Sequence, residues 1–547
     1  MKRKIALILA MLLALSTLFS ACGGEKTVKT SDRKEITLSG VNEFPIVEEP
    51  ITLSIFAVKN AYIESFEDND FTRLFEEKTN VHLDWNVVSG DQRQAFNLML
   101  ASGTYSDIIM EMGLTKSEML TYASQGILTD ISPYIEEHGY YIKNMFEETP
   151  AIKEAITLGG KIYGLPKVTE SYRYEYPAKM WVYKPWIEKL GIAIPQNTDE
   201  FYNMLKEFKE KDPNGNGIAD EIPLVARGVS GNAGIEPYLM CAFIPMAENT
   251  RFYVDEKGKV QCVAVQPEYR EGLRYIKKLY DDGLLYSDTF ILDRTQIMSI
   301  GENEPVILGA GTGMFPGMFT ISNGNEERYY EYTAIPPIEG PKGVRATAKK
   351  VTNYTGNFLV SSTCKYPEVA IKWVDWLYSP EGKKLSQATT GGTSEKREAR
   401  PGELGYDGQQ ALWAVDKVEN KSTGDAGMAH NRSWQNFGVW HSNFEQSIKV
   451  CNYNDILDKH GEWYKAYEAY GPYGVGNMVG DLAIAESDLD AFTEAKTALE
   501  QIEAYFASFV IGEKSLDDDW DAYVENLNNL GLKTYLEILQ KAYDASK

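Results

Sequence analysis

Strand-like and helix-like segments alternate at the start of the long central part of this chain, and this alternation narrows the folds open to it. The order is strand, helix, strand, helix, strand, at residues 51–58, 71–78, 81–87, 92–102 and 107–110. The strand segments are continuously or alternately apolar, whereas the helical segments space their apolar residues three or four positions apart. A βαβαβ opening predicts an α/β fold with a mainly parallel sheet, helices on both faces, and ligands beyond the carboxyl ends of the strands.

Length and charge limit the domain count and the partners. About 500 residues follow the N-terminal segment, which exceeds one typical hydrophobic core and suggests two to three folding units. The chain has 79 acidic and 55 basic side chains, a formal net charge of −24. Such a balance repels nucleic-acid phosphates and anionic lipid head groups. We therefore expect no nucleic-acid partner.

The N-terminus has the pattern of a secretory signal peptide. Positive residues 2–4 precede an apolar run at 5–15, which is shorter than the roughly 20 residues that a transmembrane helix needs. Residues 18–22 resemble a bacterial lipobox, with Phe19 where Leu, Val or Ile is usual. This resemblance implies a lipoprotein signal peptide over 1–22. Cys22 would carry a diacylglycerol, with a further acyl chain such as palmitate on its amine, and would tether the protein to the extracellular face of the cell membrane. Ordinary signal-peptidase cleavage is the alternative.

The segment after the lipobox predicts a tether rather than a folded element. Residues 23–49 are small and charged with little apolar periodicity, so we expect a flexible spacer. The later cysteines, Cys241, Cys262, Cys364 and Cys451, lack the close pairing of a zinc or redox motif. Cys241 and Cys262 either form a disulfide or are unpaired core residues, and the sequence leaves both open.

Collinear segments across the chain carry a family resemblance. The segments are residues 101–108, 122–134, 160–166, 181–192, 268–284, 378–385 and 531–544. In order and spacing they resemble family 1 extracellular solute-binding proteins. The segment 531–544 resembles the closing helix of the large Gram-positive lipoprotein branch of that family. The resemblance implies a two-lobed type 2 periplasmic-binding-protein fold with a hinge and an interlobe cleft. It implies crossovers near 165–168 and 335–341 and a return near 400. Lobe 1 would hold residues 50–167 and 338–400, and lobe 2 residues 168–337 and 401–547.

The same resemblance implies a function. The chain would be the monomeric extracellular solute-binding component of an ABC importer, which captures a carbohydrate, favoured as an oligosaccharide, between its lobes and delivers it to the permease subunits. Closure follows because a ligand held by both lobes favours the closed state. Two alternatives remain: a surface glycan-binding or sensory protein without a transporter, and a lipid-anchored glycan hydrolase.

The sharpest local motif lies at residues 212–223. Oxygen-bearing side chains at its first, third, fifth and ninth positions, a glycine at the sixth and a backbone carbonyl at the seventh match the first part of an EF-hand loop. Pro223 replaces the usual glutamate at the twelfth position, so Glu221 becomes the completing carboxylate. We predict a structural Ca²⁺ held by Asp212, Asn214, Asn216, the Ile218 carbonyl, Asp220 and Glu221. Similar loops occur in alginate-type oligosaccharide-binding relatives, and a merely polar turn is the alternative.

Motifs of common enzymes are missing from the sequence. No His-Glu-x-x-His zinc motif and no Gly-x-Ser-x-Gly elbow occurs. The histidines of the chain are His82, His138, His430, His441 and His460. The glycines of 309–313 suggest a dinucleotide loop, but Pro316 stands where the third glycine belongs. Carboxylates are too abundant for their number to indicate a hydrolase pair. We predict a binding protein and not an enzyme.

Aromatic residues supply the candidates for sugar binding, because flat rings stack on sugars while polar neighbours donate and accept directional hydrogen bonds. The chain has 34 Tyr and 10 Trp, and dense groups lie at 172–176 and 430–441. The predicted ligand-binding residues are Tyr172, Tyr174, Phe315, Trp434 and Trp440. Each either lines the cleft or packs in a core. Trp373 and Trp376 have helical spacing with apolar neighbours, which predicts core positions.

Overall fold

A computed structural model describes residues 33–320, 326–390, 394–417, 429–452 and 456–547. Cys22 and the signal peptide lie outside these ranges. Within them, no helix combines the length and the apolar character needed to cross a bilayer. The four later cysteines are all buried and unpaired, which favours the core interpretation of Cys241 and Cys262.

The predicted βαβαβ opening is confirmed. Asn69 caps the first helix by accepting the Phe71 N–H, and Thr115 and Glu118 form a capping box on the third. The elements are β1 (Ile51–Val58), α1 (Asp70–Thr79), β2 (Val81–Val88), α2 (Gln92–Ser102), β3 (Ile108–Leu114), α3 (Lys116–Ser124), α4 (Ser132–His138), α5 (Tyr141–Glu148), α6 (Pro150–Ile156), β4 (Thr157–Leu158), β5 (Lys161–Ile162) and β6 (Gly164–Leu165).

The next segment builds the second lobe. Its helix after Asn197 begins as predicted, since Asn197 accepts the Glu200 N–H and Phe201 lies in the core. The elements are β7 (Val168–Thr169), α7 (Tyr172–Glu175), β8 (Lys179–Tyr183), α8 (Lys184–Leu190), α9 (Thr198–Glu210), β9 (Ile222–Val225), α10 (Glu236–Leu239), β10 (Phe252–Val254), β11 (Val260–Cys262), α11 (Pro267–Asp281), α12 (Arg294–Gly301), β12 (Leu308–Gly313), α13 (Glu326–Tyr330) and β13 (Tyr332–Ile335).

The remaining chain first returns to the first lobe and ends in helices of the second. Its elements are β14 (Gly356–Val360), α14 (Pro367–Leu377), α15 (Pro380–Ser386), β15 (Thr389–Thr390), β16 (Ser394–Glu398), β17 (Trp413–Lys417), β18 (His441–Ser442), α16 (Phe444–Ile448), β19 (Val450–Asn452), α17 (Ile456–Tyr470), α18 (Leu489–Leu499), α19 (Gln501–Val510), α20 (Trp520–Asn529) and α21 (Leu532–Ala545). Strands β15, β16, β17 and β19 form a small separate sheet.

Each lobe has its own sheet. In lobe 1 the strand order is β2-β1-β3-β14-β6, with β1 parallel to both β2 and β3 and β14 antiparallel to its neighbours. Helix α14 covers one face, and its Trp373 and Trp376 are buried there as predicted. In lobe 2 the order is β13-β8-β12-β9, with β12 parallel to β9 and antiparallel to β8.

The glycine-rich run 309–313 is a buried strand and not a phosphate loop. It forms most of β12, whose residues are all buried. A Cβ on Gly309 would lie 2.5 Å from the Phe208 ring, and one on Gly311 would lie 2.9 Å from Phe319. The glycines therefore let aromatic side chains approach the sheet closely, which accounts for their spacing without a nucleotide.

Two predicted boundaries differ from the structure. Residues 401–547 were assigned to lobe 2, yet Trp434, Phe437 and Val439 lie in the core of lobe 1. The predicted spacer 23–49 is packed from residue 33 onward: Ile46 and Val47 are buried, and Leu38 pairs with Val47. Neither segment spaces its apolar residues regularly, but each carries a few large apolar side chains that are buried in lobe 1.

Candidate functional site

Two short strands connect the lobes side by side and form a hinge. β7 and β18 run parallel, with Val168 opposite His441 and Thr169 opposite Ser442. The Val168 N–H donates to the Trp440 carbonyl at 2.8 Å, and the Glu170 N–H donates to the Ser442 carbonyl at 2.8 Å. The sheet strand β6 of lobe 1 ends just before this pair, and β8 of lobe 2 follows it. Residues beside β7 and β18 therefore lie between the lobes.

On the lobe 1 side of the hinge, charged, amide and aromatic groups form what we call the hinge floor: Glu111, Lys167, Thr169, Asn436 and Trp440. The Lys167 ammonium lies 2.7 Å from the Glu111 carboxylate and donates to the Asn436 carbonyl at 3.1 Å. It also lies 4.9 Å from the centre of the Trp440 ring, whose indole N–H donates to the Thr169 hydroxyl at 3.0 Å. The indole is thus held in a fixed orientation.

The backbone turns Glu111 toward this floor. The register between β3 and β14 shifts between Gly356 and Phe358, and Glu111 within β3 has φ +62°. Asn436 likewise has φ +59°. Bulges and left-handed non-glycine residues concentrate at functional sites, where they redirect side chains. The Glu111 carboxylate also accepts the Gly438 N–H at 2.8 Å. Burial raises the pKa of Glu111, against the opposing effects of Lys167 and the Gly438 N–H.

On the lobe 2 side, helix α7 carries Arg173 directly after the hinge. Its guanidinium lies 5.5 Å from the centre of the Trp463 ring, and Trp463 lies 5.0 Å, ring to ring, from Phe315. Phe315 is partly buried at the carboxyl end of β12. A cation over a buried aromatic pair therefore lies next to the hinge on the lobe 2 side.

The predicted ligand-binding aromatics fall into two groups. Trp440, Tyr174 and Phe315 keep some exposure, and Tyr174 is 39% exposed. Tyr172 is 2% exposed and contacts Tyr406 and Tyr464 edge to face. Trp434 is fully buried, where its indole N–H donates to the Thr72 hydroxyl at 2.8 Å. In this structure Trp434 offers no ring face to a ligand.

The residues of the hinge floor other than Trp440 were not predicted. Glu111 lies inside an apolar strand and Asn436 inside an aromatic run, and neither has a local motif. Lys167 lies within the crossover predicted near 165–168, and the charge at that crossover is the signal that could have found it. Glu111 and Lys167 come from strands on either side of β14, and they meet because the bulge in β3 turns Glu111 while Lys167 follows the end of β6.

Hydrogen bonds within the acidic loop connect five of the six predicted calcium ligands. Asp212 accepts the Gly215, Asn216 and Gly217 N–H groups at 2.9, 3.1 and 3.0 Å. The Asn214 and Asn216 amides donate to the Asp220 carboxylate at 3.0 Å each. The Ile218 carbonyl accepts the Asp220 N–H at 3.0 Å. The loop is therefore a nested series of side-chain-to-backbone turns around a carboxylate.

Glu221 tests whether a cation fits this loop. One of its carboxylate oxygens is buried without a hydrogen-bond partner. Burial raises the pKa of Glu221, and the Asp220 and Asp212 charges raise it further. Both observations fit a cation at this point. In the described parts of the chain no three His, Cys, Asp or Glu side chains group closely enough to hold a metal, so amide and carbonyl oxygens would have to complete the site.

Comparison with known proteins gives a consistent result. A family model described as bacterial extracellular solute-binding protein matches residues 59–384. The fructooligosaccharide ABC transporter substrate-binding protein FusA of Streptococcus pneumoniae is 27% identical over 98% of this chain and 97% of its own length.

Solved structures agree at the level of the fold. An EF-hand mutant of FusA in complex with fructo-nystose has a TM-score of 0.72 at 23% identity, covering 90% of this chain and 99% of that one. A solute-binding protein from Bifidobacterium longum infantis, described as binding human milk oligosaccharides (HMO), has a TM-score of 0.75 at 22% identity, covering 91% and 99%.

Proposed function

The chain belongs to the bacterial extracellular solute-binding protein family, and we propose that it captures an oligosaccharide between its lobes for an ABC importer. The hinge floor carries this proposal. An oriented indole, an ion pair and an exposed Asn436 meet beside the strands about which the lobes would move. Stacking surface with a few fixed polar groups is the usual composition of a sugar site. The full-length similarity to FusA, named for fructooligosaccharides, supports the same ligand class.

The chemistry of the hinge floor favours binding over hydrolysis. A glycosidase needs two carboxyl groups placed on either side of the scissile bond. Glu111 instead contacts Lys167 and the Gly438 N–H, which is the arrangement of a hydrogen-bond acceptor held in place. We therefore retain the binding function and treat hydrolysis as an outcome of the test.

The test is a thermal-shift screen of the purified protein against oligosaccharides, with each glycan analysed afterwards for cleavage. A ligand at one hundred times its dissociation constant adds about 2.7 kcal/mol to stability. We expect a saturable shift from one glycan class and an intact glycan. No shift from any glycan, alongside a shift from peptides, would reject the carbohydrate ligand, and a cleaved glycan would reject the binding-only function.

We also propose that the 212–221 loop binds a structural Ca²⁺. The proposed ligands are Asp212, Asn214, Asn216, the Ile218 carbonyl, Asp220 and Glu221, and the ion would have to draw the three carboxylates closer together than they lie in this structure. The bound ion would supply positive charge to the carboxylates and brace the end of α9, far along the chain from the hinge. Calorimetric titration with Ca²⁺ tests this, with one site expected and its loss in Asp220→Asn. Equal heats from the two proteins would contradict the assignment.

Finally, we propose that Cys22 is lipidated and tethers the protein outside the cell membrane. The basic start, the short apolar run and the small residues before Cys22 support this. Cys22→Ser should shift the protein from the membrane fraction to the culture medium. Retention of that variant on the membrane would contradict the tether.

A further inference from the structure

Two cationic side chains lie at the hinge, Arg173 on α7 directly after β7 and Lys383 on α15 against β18, and a third, Lys396 on β16, lies close enough for its charge to act on Lys383 and to be affected by Arg173. The Lys383 ammonium donates to the His441 carbonyl of β18 at 3.2 Å and to the Gln446 side chain at 2.8 Å, both neutral acceptors. The backbone N–H of Lys396 donates to the backbone carbonyl of Ala388 at 2.9 Å, which ties β16 to the segment just after α15. Lys396 itself is exposed to water.

None of the three makes an ion pair with a carboxylate in the described residues. This distinguishes them from neighbouring lysines, since Lys167 is paired with Glu111 at 2.7 Å and Lys349 with Glu175 at 3.0 Å. In addition, the Arg173 Nε is buried and has no hydrogen-bond partner. An enclosed donor of this kind costs free energy unless something binds to it.

The three groups also act on one another. The pKa of Lys396 is lowered to about 8. Desolvation by the surrounding protein is the larger cause, although the side chain keeps contact with water, and the charge on Arg173 is the smaller one. Burial, and then the charge on Lys396, lower the pKa of Lys383 to about 7. Like charges lower each other's pKa in this way only when they share a site. The cluster is therefore one electrostatic unit.

The rest of the molecule makes this cluster unusual. The chain carries an excess of 24 negative charges, so carboxylates are abundant partners for cations. A group of cations without a carboxylate, in a protein with so many, points to an anion supplied from outside. Arg173 also lies over the buried Trp463 ring, which packs against the partly buried Phe315 beside the hinge.

We propose that the oligosaccharide bound at the hinge carries a carboxylate, which binds between Arg173 and Lys396. This inference rests on the proposed oligosaccharide-binding function and adds the charge of the ligand to it. The sugar rings would lie against the aromatic groups on either side, and the carboxylate would accept hydrogen bonds from the guanidinium and the ammonium. Lys383, held by the His441 carbonyl, adds to the local positive potential from the hinge itself.

The experiment uses matched ligands that differ only in charge. Calorimetry of the purified protein compares carboxylated oligosaccharides, such as oligogalacturonides and sialyllactose, with their methyl esters, and includes neutral kestose and a sulfated oligosaccharide. We expect the acid to bind at least about tenfold more tightly than its ester, the size of one charge-assisted hydrogen bond. Arg173→Gln and Lys396→Gln should each reduce this preference about tenfold. Lys206→Gln, on the exposed side of α9, is the matched control and should leave it unchanged.

The outcomes separate the two proposals. If kestose or the esters bind as tightly as the acids, or if the cluster variants keep the preference for acids, the inference is overturned and the oligosaccharide-binding function stands. Tighter binding of the sulfated glycan than of every carboxylated one also overturns it. If no oligosaccharide of either charge binds, the proposed function fails, and the inference fails with it.

Discussion

Arg251 and Arg173 are two partly enclosed arginines of lobe 2 with opposite surroundings. Arg251 contacts the fully buried Glu236 through two hydrogen bonds of 2.9 and 2.6 Å, and the Tyr269 hydroxyl donates to the same carboxylate. Arg173, at the hinge, has an aromatic neighbour and an unpartnered Nε. Arg251 thus has its counter-charge in the core, whereas Arg173 has none at the place where we propose that a ligand binds. The two clusters should therefore respond to mutation in opposite ways.

Breaking the core pair should have the largest effect. Arg251→Met would leave the Glu236 carboxylate buried and unpaired, and such losses cost about 3–5 kcal/mol. Chemical denaturation measures this. Arg274→Met is the control, because Arg274 pairs with Asp517 at the surface, where ion pairs contribute about 0–1 kcal/mol. Equal losses of unfolding free energy from the two variants would show that the buried ion pair stabilises the protein no more than a surface pair does.

Two tryptophans of one segment sharpen the contrast between core and site. Trp434→Ala should lower stability by about 3–5 kcal/mol because it empties a packed core position. Trp440→Ala should leave stability nearly unchanged but weaken oligosaccharide binding by about 2 kcal/mol, as expected for a central aromatic contact. Denaturation and calorimetry on both variants test this. The division fails if Trp440→Ala binds glycan as the unmodified protein does.

The acidic loop differs from both arginines, since the charge without a counter-charge there is the negative charge of a carboxylate. The raised pKa of Glu221 means that its ionisation in the folded protein costs stability as pH rises above the ordinary carboxyl range. Without calcium at neutral pH, Glu221→Gln should therefore raise Tm slightly. With calcium, the same variant should lose most of the ion-dependent rise in Tm. A variant that keeps the full calcium effect would remove Glu221 from the site.

The smallest expected effect is a proton linkage at the hinge. Lys383 has a pKa of about 7 in the folded protein, so the unfolded chain binds more protons between that value and the ordinary lysine range. Its contribution to stability without ligand therefore increases as pH rises through this window. Comparing denaturation at pH values inside and below it should show a smaller increase in Lys383→Met. An anionic ligand should also bind with proton uptake near pH 7 to 8, visible as a buffer-dependent heat.

The sequence predicts the fold better than the site, for a physical reason. Periodicity located β1 to β3 and the helix after Asn197 because local apolar spacing decides those elements. It could not distinguish Trp434 from Trp440, which share one aromatic run and differ only in what lobe 1 packs against them. Lys396 lies in the charged segment 394–398, which has the pattern of a solvated strand, and only tertiary structure brings it to Arg173.

The most direct test of the account is a crystal structure with the tightest-binding oligosaccharide from the screen. The account predicts one intact glycan between the lobes, in contact with the Trp440 ring and with Arg173. Glycan density on an outer face of either lobe, with the hinge floor filled only by water, would contradict the central claim that this protein binds an oligosaccharide at its hinge.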